Sequence, residues 1–365
     1  MPFYPEFAFN NTYGIQAINE TQYRSAIADS ATCRNMTSTC RAIADQQDPE
    51  GKGITPEVNK ACLDAYLYCF SKMHDGYDPS RSLFDIASPA LASFPPKWAA
   101  GYLNTAEVQQ ALGVPLNFTG NSAVIASAFN LTGDFVRGHG LAYLGGLLDR
   151  GVKVALVYGD RDYQCNWLGG EAISLAINSS TTSGFQSAGY ANIETNSSYV
   201  GGLVRQYGNL SFSRVFQAGH ETPYYQPETA YQIFNRVMFN TDVARGKNSA
   251  VGYSTSGASS AFTKSEVPFQ RRLAPCYLWD VLETCTRVQK QILGNGTAIV
   301  EDFVLVGYKR ADGSEVFYNG TNGTANSTGS SSSVPSSTLV SAASDIMASR
   351  AVGMFILSLA ALVAL

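Results

Sequence analysis

Basic side chains are sparse: Lys and Arg number 25 against 29 Asp and Glu in 365 residues, for a net charge of −4. They gather nowhere into a run, which excludes the electrostatic footprint of a nucleic-acid binder. Histidine is scarcer still. His74, His139 and His220 are the only three, and they show no ligand spacing, so neither a metal nor a cofactor is implied. No internal repeat is present, which excludes a solenoid or propeller. Met1–Pro5 has neither a basic n-region nor an apolar h-region, so nothing there directs secretion. The one long apolar run, Ala351–Leu365, has 15 residues, short of the roughly 20 that a membrane span needs. No G-x-S-x-G occurs anywhere in the chain.

Asparagine, by contrast, is used in a pattern. Twelve of 21 asparagines lie in N-x-[ST] sequons: Asn10, Asn19, Asn35, Asn117, Asn130, Asn178, Asn196, Asn209, Asn295, Asn319, Asn322 and Asn326. Such density reads as a secreted glycoprotein. From about Asn319 to Ser344 the composition collapses to Ser, Thr, Asn, Gly and Ala, too polar to pack and suited to a glycosylated stalk. Small residues at Ser341–Ala343, a brief polar spacer and the terminal apolar tail fit a GPI-attachment signal, with a tail-anchor helix as the alternative. The expected location is therefore the secretory pathway and the cell surface, with the vacuole second. A GPI signal requires translocation, so the chain as given is expected to lack its true N-terminal part.

Seven cysteines leave one over: Cys33, Cys40, Cys62, Cys69, Cys165, Cys276 and Cys285. Cys33/Cys40 and Cys62/Cys69 are each spaced i, i+7, so each pair lies on one helix face two turns apart. Thr55-Pro56-Glu57 reads as a helix start, with a cap hydroxyl, proline at N1 and an acid in the first turn. If the two helices run antiparallel, Cys33–Cys69 and Cys40–Cys62 face one another. Of three possible connectivities this nested ladder alone matches both helix phases. Cys276–Cys285 forms a third, local bridge, and Cys165 remains free.

Along the chain, residues 1–100 hold the laddered helices and aromatic-rich loops, and residues 101–245 alternate helices and strands in the α/β manner. Helices are expected from Leu103-Asn104 to Gly113 and over Leu141–Leu148. Val154–Tyr158 suits a buried parallel strand and Phe212–Phe216 a second. Residues 246–318 hold a Gly/Ser-rich linker, a helix around Cys276–Leu293 and a hairpin turning at Asp312-Gly313. The stalk and spacer then run over 319–350 and the apolar tail over 351–365. In open α/β sheets functional residues collect outside the carboxyl ends of strands. Asp162 lies four residues past the first strand and His220 four past Phe216, with Gly159 and Gly219 expected to supply tight turns. A histidine so placed acts as a general base, and a buried carboxylate orients it. Asp160 competes for the acid's role.

The segments GDRDYQCNWLGG (Gly159–Gly170), AGHETPYYQPE (Ala218–Glu228) and YLNTAEVQQALGV (Tyr102–Val114), with the nested cysteines, resemble the serine carboxypeptidase family over roughly Thr12–Asn240. The 246–318 extension and the tail lie outside that likeness and resemble surface-anchored fungal members. The resemblance implies the C-terminal half of an α/β-hydrolase fold, a mostly parallel sheet flanked by helices, with 1–100 as a helical insertion roofing the site. It implies Asp162 as the acid and His220 as the base of a Ser-Asp-His triad. Cys165 matches the family's free thiol beside the substrate cleft, Gln164 lines the same side, and Asn166 and Trp167 support. Glu221 stands where an apolar residue is usual; it either faces the leaving-residue pocket or turns to solvent.

The family's serine, in G-E-S-Y-G, is missing, as are its oxyanion-hole glycine and the first strands of the sheet. Strands after Val154 are then expected to expose unpaired edges. The implied activity is removal of single C-terminal residues from peptides through an acyl-enzyme at acid pH, inactive in this chain alone because the nucleophile is missing. The alternatives are a catalytically dead surface glycoprotein that binds peptides, and a generic esterase or lipase. The implied partners are peptide C-termini and, through the anchor, the membrane, with no nucleic acid and no defined oligomer.

Overall fold

A computed structural model describes residues 1–90, 98–262, 276–301 and 303–318. The stalk, the tail and the sequons at Asn319, Asn322 and Asn326 lie outside the described residues. The described residues fall into two compact units, both discontinuous in sequence: 1–90 with 128–262, and 98–127 with 276–301 and 303–318.

After a short helix at Tyr4–Phe9, the first unit forms a disulfide-laddered helical hairpin. Helix α1 (Glu20–Gln47) opens at Asn19, whose side chain accepts from the Gln22 amide at 2.9 Å while Gln22 accepts from the Asn19 amide at 2.8 Å. This reciprocal box satisfies two amides that the first helical turn leaves without partners. Helix α2 (Pro56–His74) starts with proline at N1, but Thr55 does not cap it. The Thr55 hydroxyl donates to Gln47 O at 3.3 Å across the hairpin turn instead. The turn is held by Asp48, which accepts from the Lys52 and Gly53 amides at 2.8 and 2.9 Å and pairs with buried Arg137 at 2.5 Å. The bridges are Cys33–Cys69 and Cys40–Cys62, with Cα separations of 5.0 and 4.8 Å.

Helix α3 (Gly140–Asp149) leads into β1 (Val154–Gly159), and helix α4 (Trp167–Ala176) follows it. Strands β2 (Ala191–Glu194), β3 (Val200–Tyr207) and β4 (Leu210–Val215) complete a sheet of order β1-β4-β3-β2. Within the described residues the sheet is mixed rather than mostly parallel. Only β1 and β4 run parallel; β3 and β4 form a hairpin turning at Gly208-Asn209, and β2 pairs antiparallel with β3. A two-residue turn can join only antiparallel neighbours.

Every residue of β4 is buried. Alternation along it sends Leu210 and Phe212 into a core with Leu156, Trp167, Tyr163 and Phe185, and Val215 into one with Ile193, Val204 and Ile233. Helix α5 (Pro227–Met238) lays Ile233 on the latter face. For the site, the decisive pairing is Gly159 opposite Val215 at the end of the parallel ladder, which delivers both following loops to one rim.

In the second unit, Ala106–Leu112 is helical and ends at Gly113 in the left-handed conformation (φ 67°), as a C-terminal glycine allows. Instead of one helix around Cys276–Leu293, a 3-10 turn at Leu278–Asp280 and a short helix at Val281–Thr284 precede a helix over Arg287–Gly294. The last is boxed by Thr286 and Gln289. Cys276 and Cys285 are bridged. Strands β5 (Ala298–Glu301), β6 (Val304–Lys309) and β7 (Glu315–Phe317) form an antiparallel sheet, with Gly313 in the β6–β7 turn. No described helix is long and apolar enough to cross a membrane.

Candidate active site

The loop after β1 carries three consecutive charges, and each goes to a different element. Asp160 turns inward: it pairs with fully buried Arg214 of β4 at 3.1 Å and accepts from the Tyr13 hydroxyl at 2.8 Å. It is thus part of the foundation beneath the loop. Arg161 turns to Asp85 in a two-bond ion pair, Nε to Oδ1 at 2.9 Å and Nη2 to Oδ2, with both side chains buried. Asp162 turns to the loop after β4, where its Oδ2 meets His220 Nδ1 at 2.8 Å.

The couple is asymmetric in exposure. The Asp162 side chain is 3% exposed and that of His220 18%. The remaining carboxylate oxygen, Oδ1, accepts from the Cys165 amide at 3.0 Å. Asp162, Cys165 and His220 bring their polar atoms within 4.8 Å of one another. Asp162 is the hub, bonded to the His220 ring through one oxygen and to the Cys165 amide through the other.

Burial, the largest single influence, disfavours the imidazolium, but the hydrogen bond that the ring donates to Asp162, the contact with Cys165 and the Asp162 charge together outweigh it, so the pKa of His220 rises. Burial also raises the Cys165 thiol. A neutral thiol lends no charge, so the upward push that stands at neutral pH is that of Asp162. A fixed carboxylate on Nδ1 sets the tautomer and leaves the other ring nitrogen to exchange protons.

Gly159 opens the expected turn, its carbonyl accepting from the Asp162 amide at 3.4 Å, yet neither Gly159 nor Gly219 has a positive φ. They allow close approach. A Cβ on Gly159 would lie 2.1 Å from Gly219 O, and one on Gly219 2.4 Å from Phe84 O. Asn166 caps α4, accepting from the Gly169 amide at 3.0 Å, and Trp167 is buried under the guanidinium of Arg214 at 4.5 Å. Gln164 and Cys165 are half-buried beside the couple, and Glu221 is exposed.

Sequence reasoning overlooked the strap Leu83–Ile86. Its backbone accepts from the amides of Gln164 (Leu83 O, 2.9 Å) and His220 (Phe84 O, 2.9 Å), and the Ile86 amide donates to Arg161 O at 2.9 Å. The Phe84 ring lies 5.1 Å from the His220 ring. A lone Phe-Asp in a loop has no periodicity to announce it. His74 lies away from the couple, ringed by Tyr4, Phe70 and Tyr163 at 4.5, 4.3 and 5.2 Å. His139 sits at a helix N-terminus with φ 72°.

A family model described as serine carboxypeptidase matches residues 5–240. Among curated proteins, a carboxypeptidase S1 homolog B of Arthroderma otae is 45% identical over 317 residues, covering 84% of this chain and 48% of that protein. A carboxypeptidase Y homolog of Arthroderma benhamiae is 40% identical over 321 residues, covering 84% and 51%. The chain thus spans about half the length of the curated relatives it matches. A solved structure of a prohormone-processing carboxypeptidase from Saccharomyces cerevisiae aligns over 65% of this chain and 51% of that one, at 17% identity and a TM-score of 0.43.

Proposed function

Because the chain belongs to the serine carboxypeptidase family, we propose that it carries the acid–base half of a serine-type carboxypeptidase. The observation that carries this reading is the Asp162–His220 hydrogen bond of 2.8 Å, set at the common rim of two parallel strands. In this reading a serine hydroxyl from residues beyond these 365 attacks the carbonyl of the last peptide bond. His220 takes the serine proton and returns it to the departing amino acid, and a second cycle with water frees the acyl-enzyme. Asp162 holds the ring and stabilises the imidazolium. Gln164 and Cys165 flank the substrate, and exposed Glu221 meets the leaving residue, favouring basic or polar side chains there.

The same proposal places the protein in the secretory pathway, glycosylated and held at the cell surface by a GPI anchor. Three disulfides are consistent with an oxidising compartment. Asn19, Asn35, Asn117, Asn178, Asn196 and Asn295 are exposed, as acceptors for glycan must be. A second reading, a peptide-binding glycoprotein without catalysis, is favoured by the absence of any G-x-S-x-G from the 365 residues.

A serine-directed fluorophosphonate applied to the protein from its native source separates the two. Mass spectrometry of a labelled serine peptide in the same polypeptide as Asp162 and His220, with peptide C-termini shortened one residue at a time, is the expected result. A native polypeptide that takes no label leaves the binding reading and removes the enzyme.

A further inference from the structure

We propose that the buried Asp85–Arg161 ion pair is the positioning element of the Asp162–His220 couple, acting through the strap Leu83–Ile86 that joins the two loops. The proposal rests on the reading of that couple as the acid and base of the site. At their roots the two loops are tied directly, by the Asp160 amide on Val215 O at 3.0 Å and the Arg161 amide on Ala218 O at 2.8 Å. Beyond Arg161, among the described residues, no main-chain hydrogen bond joins one loop to the other. Both turn to the strap instead, Gln164 to Leu83 O and His220 to Phe84 O.

Asp162 gives one oxygen to His220 and the other to the Cys165 amide of its own loop. The roots are further joined by Arg161 Nη1 on Gln217 Oε1 at 3.4 Å and by the Tyr13 hydroxyl, which donates to Asp160 and accepts from the Gln217 amide at 3.0 Å. The strap is the tie that reaches His220 itself, and in this proposal it sets the distance between acid and base. The strap is anchored by the charge of Asp85, whose Oδ1 also accepts from the Ala87 amide at 3.0 Å and whose Oδ2 accepts from the Ser88 hydroxyl at 2.6 Å. The pair is bidentate, a geometry that fixes direction as well as distance. A buried pair of this kind adds little net stability, since removing two charges from water offsets their attraction. Its contribution falls on geometry. The groups facing the His220 ring are Asp162, Cys165 and the Phe84 ring, with the charges of Asp85 and Arg161 spent on one another and Glu221 exposed alongside.

The test needs no nucleophile and so stands apart from the peptidase reading. The full 365-residue chain, labelled with nitrogen-15, is compared with Asp85→Asn and with the double variant Asp85→Leu/Arg161→Met. The double variant removes both charges together and leaves neither orphaned in the interior. His220→Gln assigns the imidazole signals, and far-UV circular dichroism establishes folding. The readouts are solvent exchange of the His220 Nδ1 proton and the titration midpoint of the ring. Expected in whichever variant folds is exchange at least threefold faster, with the midpoint moving toward the ordinary 6.5. A folded variant whose exchange changes by less than threefold overturns the proposal. Failure of fluorophosphonate labelling in the native protein would remove the enzyme and leave this result standing.

Discussion

His74 makes the first unit acid-sensitive. Its Nδ1 faces the Tyr163 hydroxyl at 3.3 Å, while Nε2 is sealed from solvent with no partner among the described residues. A second proton on this ring would be a charge among Tyr4, Phe70 and Tyr163, and burial pushes its pKa down to about 3 from 6.5. The folded state keeps the ring neutral between those values, while the unfolded chain takes up a proton. Stability contributed at neutral pH is therefore lost as the pH falls below 6.5, at about 1.4 kcal/mol per pH unit, and the loss ends near the folded value. Between about pH 7.5 and 4.5 it amounts to about 2–3 kcal/mol. His74→Phe keeps an aromatic ring in the cage and cannot titrate. Urea denaturation of both proteins across that range should show the gap between them shifting in the variant's favour by that amount on acidification. Parallel pH profiles would refute the reasoning, because they would require His74 to be as easily protonated in the fold as out of it.

The inner bridge is separately testable. Chain entropy makes a link across 22 residues worth about 3.4 kcal/mol, falling to about 2.5 kcal/mol because the outer bridge already closes the 36 residues around it. Cys40→Ala/Cys62→Ala should lower the free energy of unfolding by about that much, and a loss under about 1 kcal/mol would speak against a closed ladder. Gly159→Ala forces a methyl onto Gly219 O and is expected to destabilise by about 2–3 kcal/mol and to disturb His220 in imidazole NMR. Gly146→Ala, in helix α3 with open space around it, should instead stabilise by about 0.5–1 kcal/mol. If Glu221 meets the leaving residue, Glu221→Gln should reduce the preference for C-terminal Lys or Arg over Leu by about fivefold in kcat/KM, the scale of a partly exposed ion pair.

The features legible in the sequence are those with a period or a motif behind them. The helix phases of the cysteines specified the ladder, and the apolar run before Gly159 marked β1. Asp162 and His220 could be paired because each follows a strand end within a distinctive string. Strand β3 escaped notice because its buried positions include Gly201, Gly202, Arg205 and Gln206, which alternate like no ordinary strand. Arg205 is accommodated by carbonyls of Gln186 and Ser259 and by the face of Tyr190 at 4.7 Å, contacts that only the tertiary fold supplies. The strap was invisible for the same reason, since Asp85 acquires its meaning from Arg161, 76 residues later. The glycines were recognised as necessary, but the turn at Gly159 is only part of the reason. Their φ angles are ordinary, and what they permit is backbone against backbone.

Asp160, Arg161 and Asp162 send their charges to β4, to the strap and to His220. Such a loop behaves as a key with three teeth cut at fixed intervals. Its length is therefore as consequential as its composition. Inserting or deleting one residue between Gly159 and Asp162 would set an acid against Asp85, or a guanidinium against His220, and each mismatch buries like charges together. Substitutions along the loop can be absorbed one contact at a time, whereas a change of register would spoil all three at once.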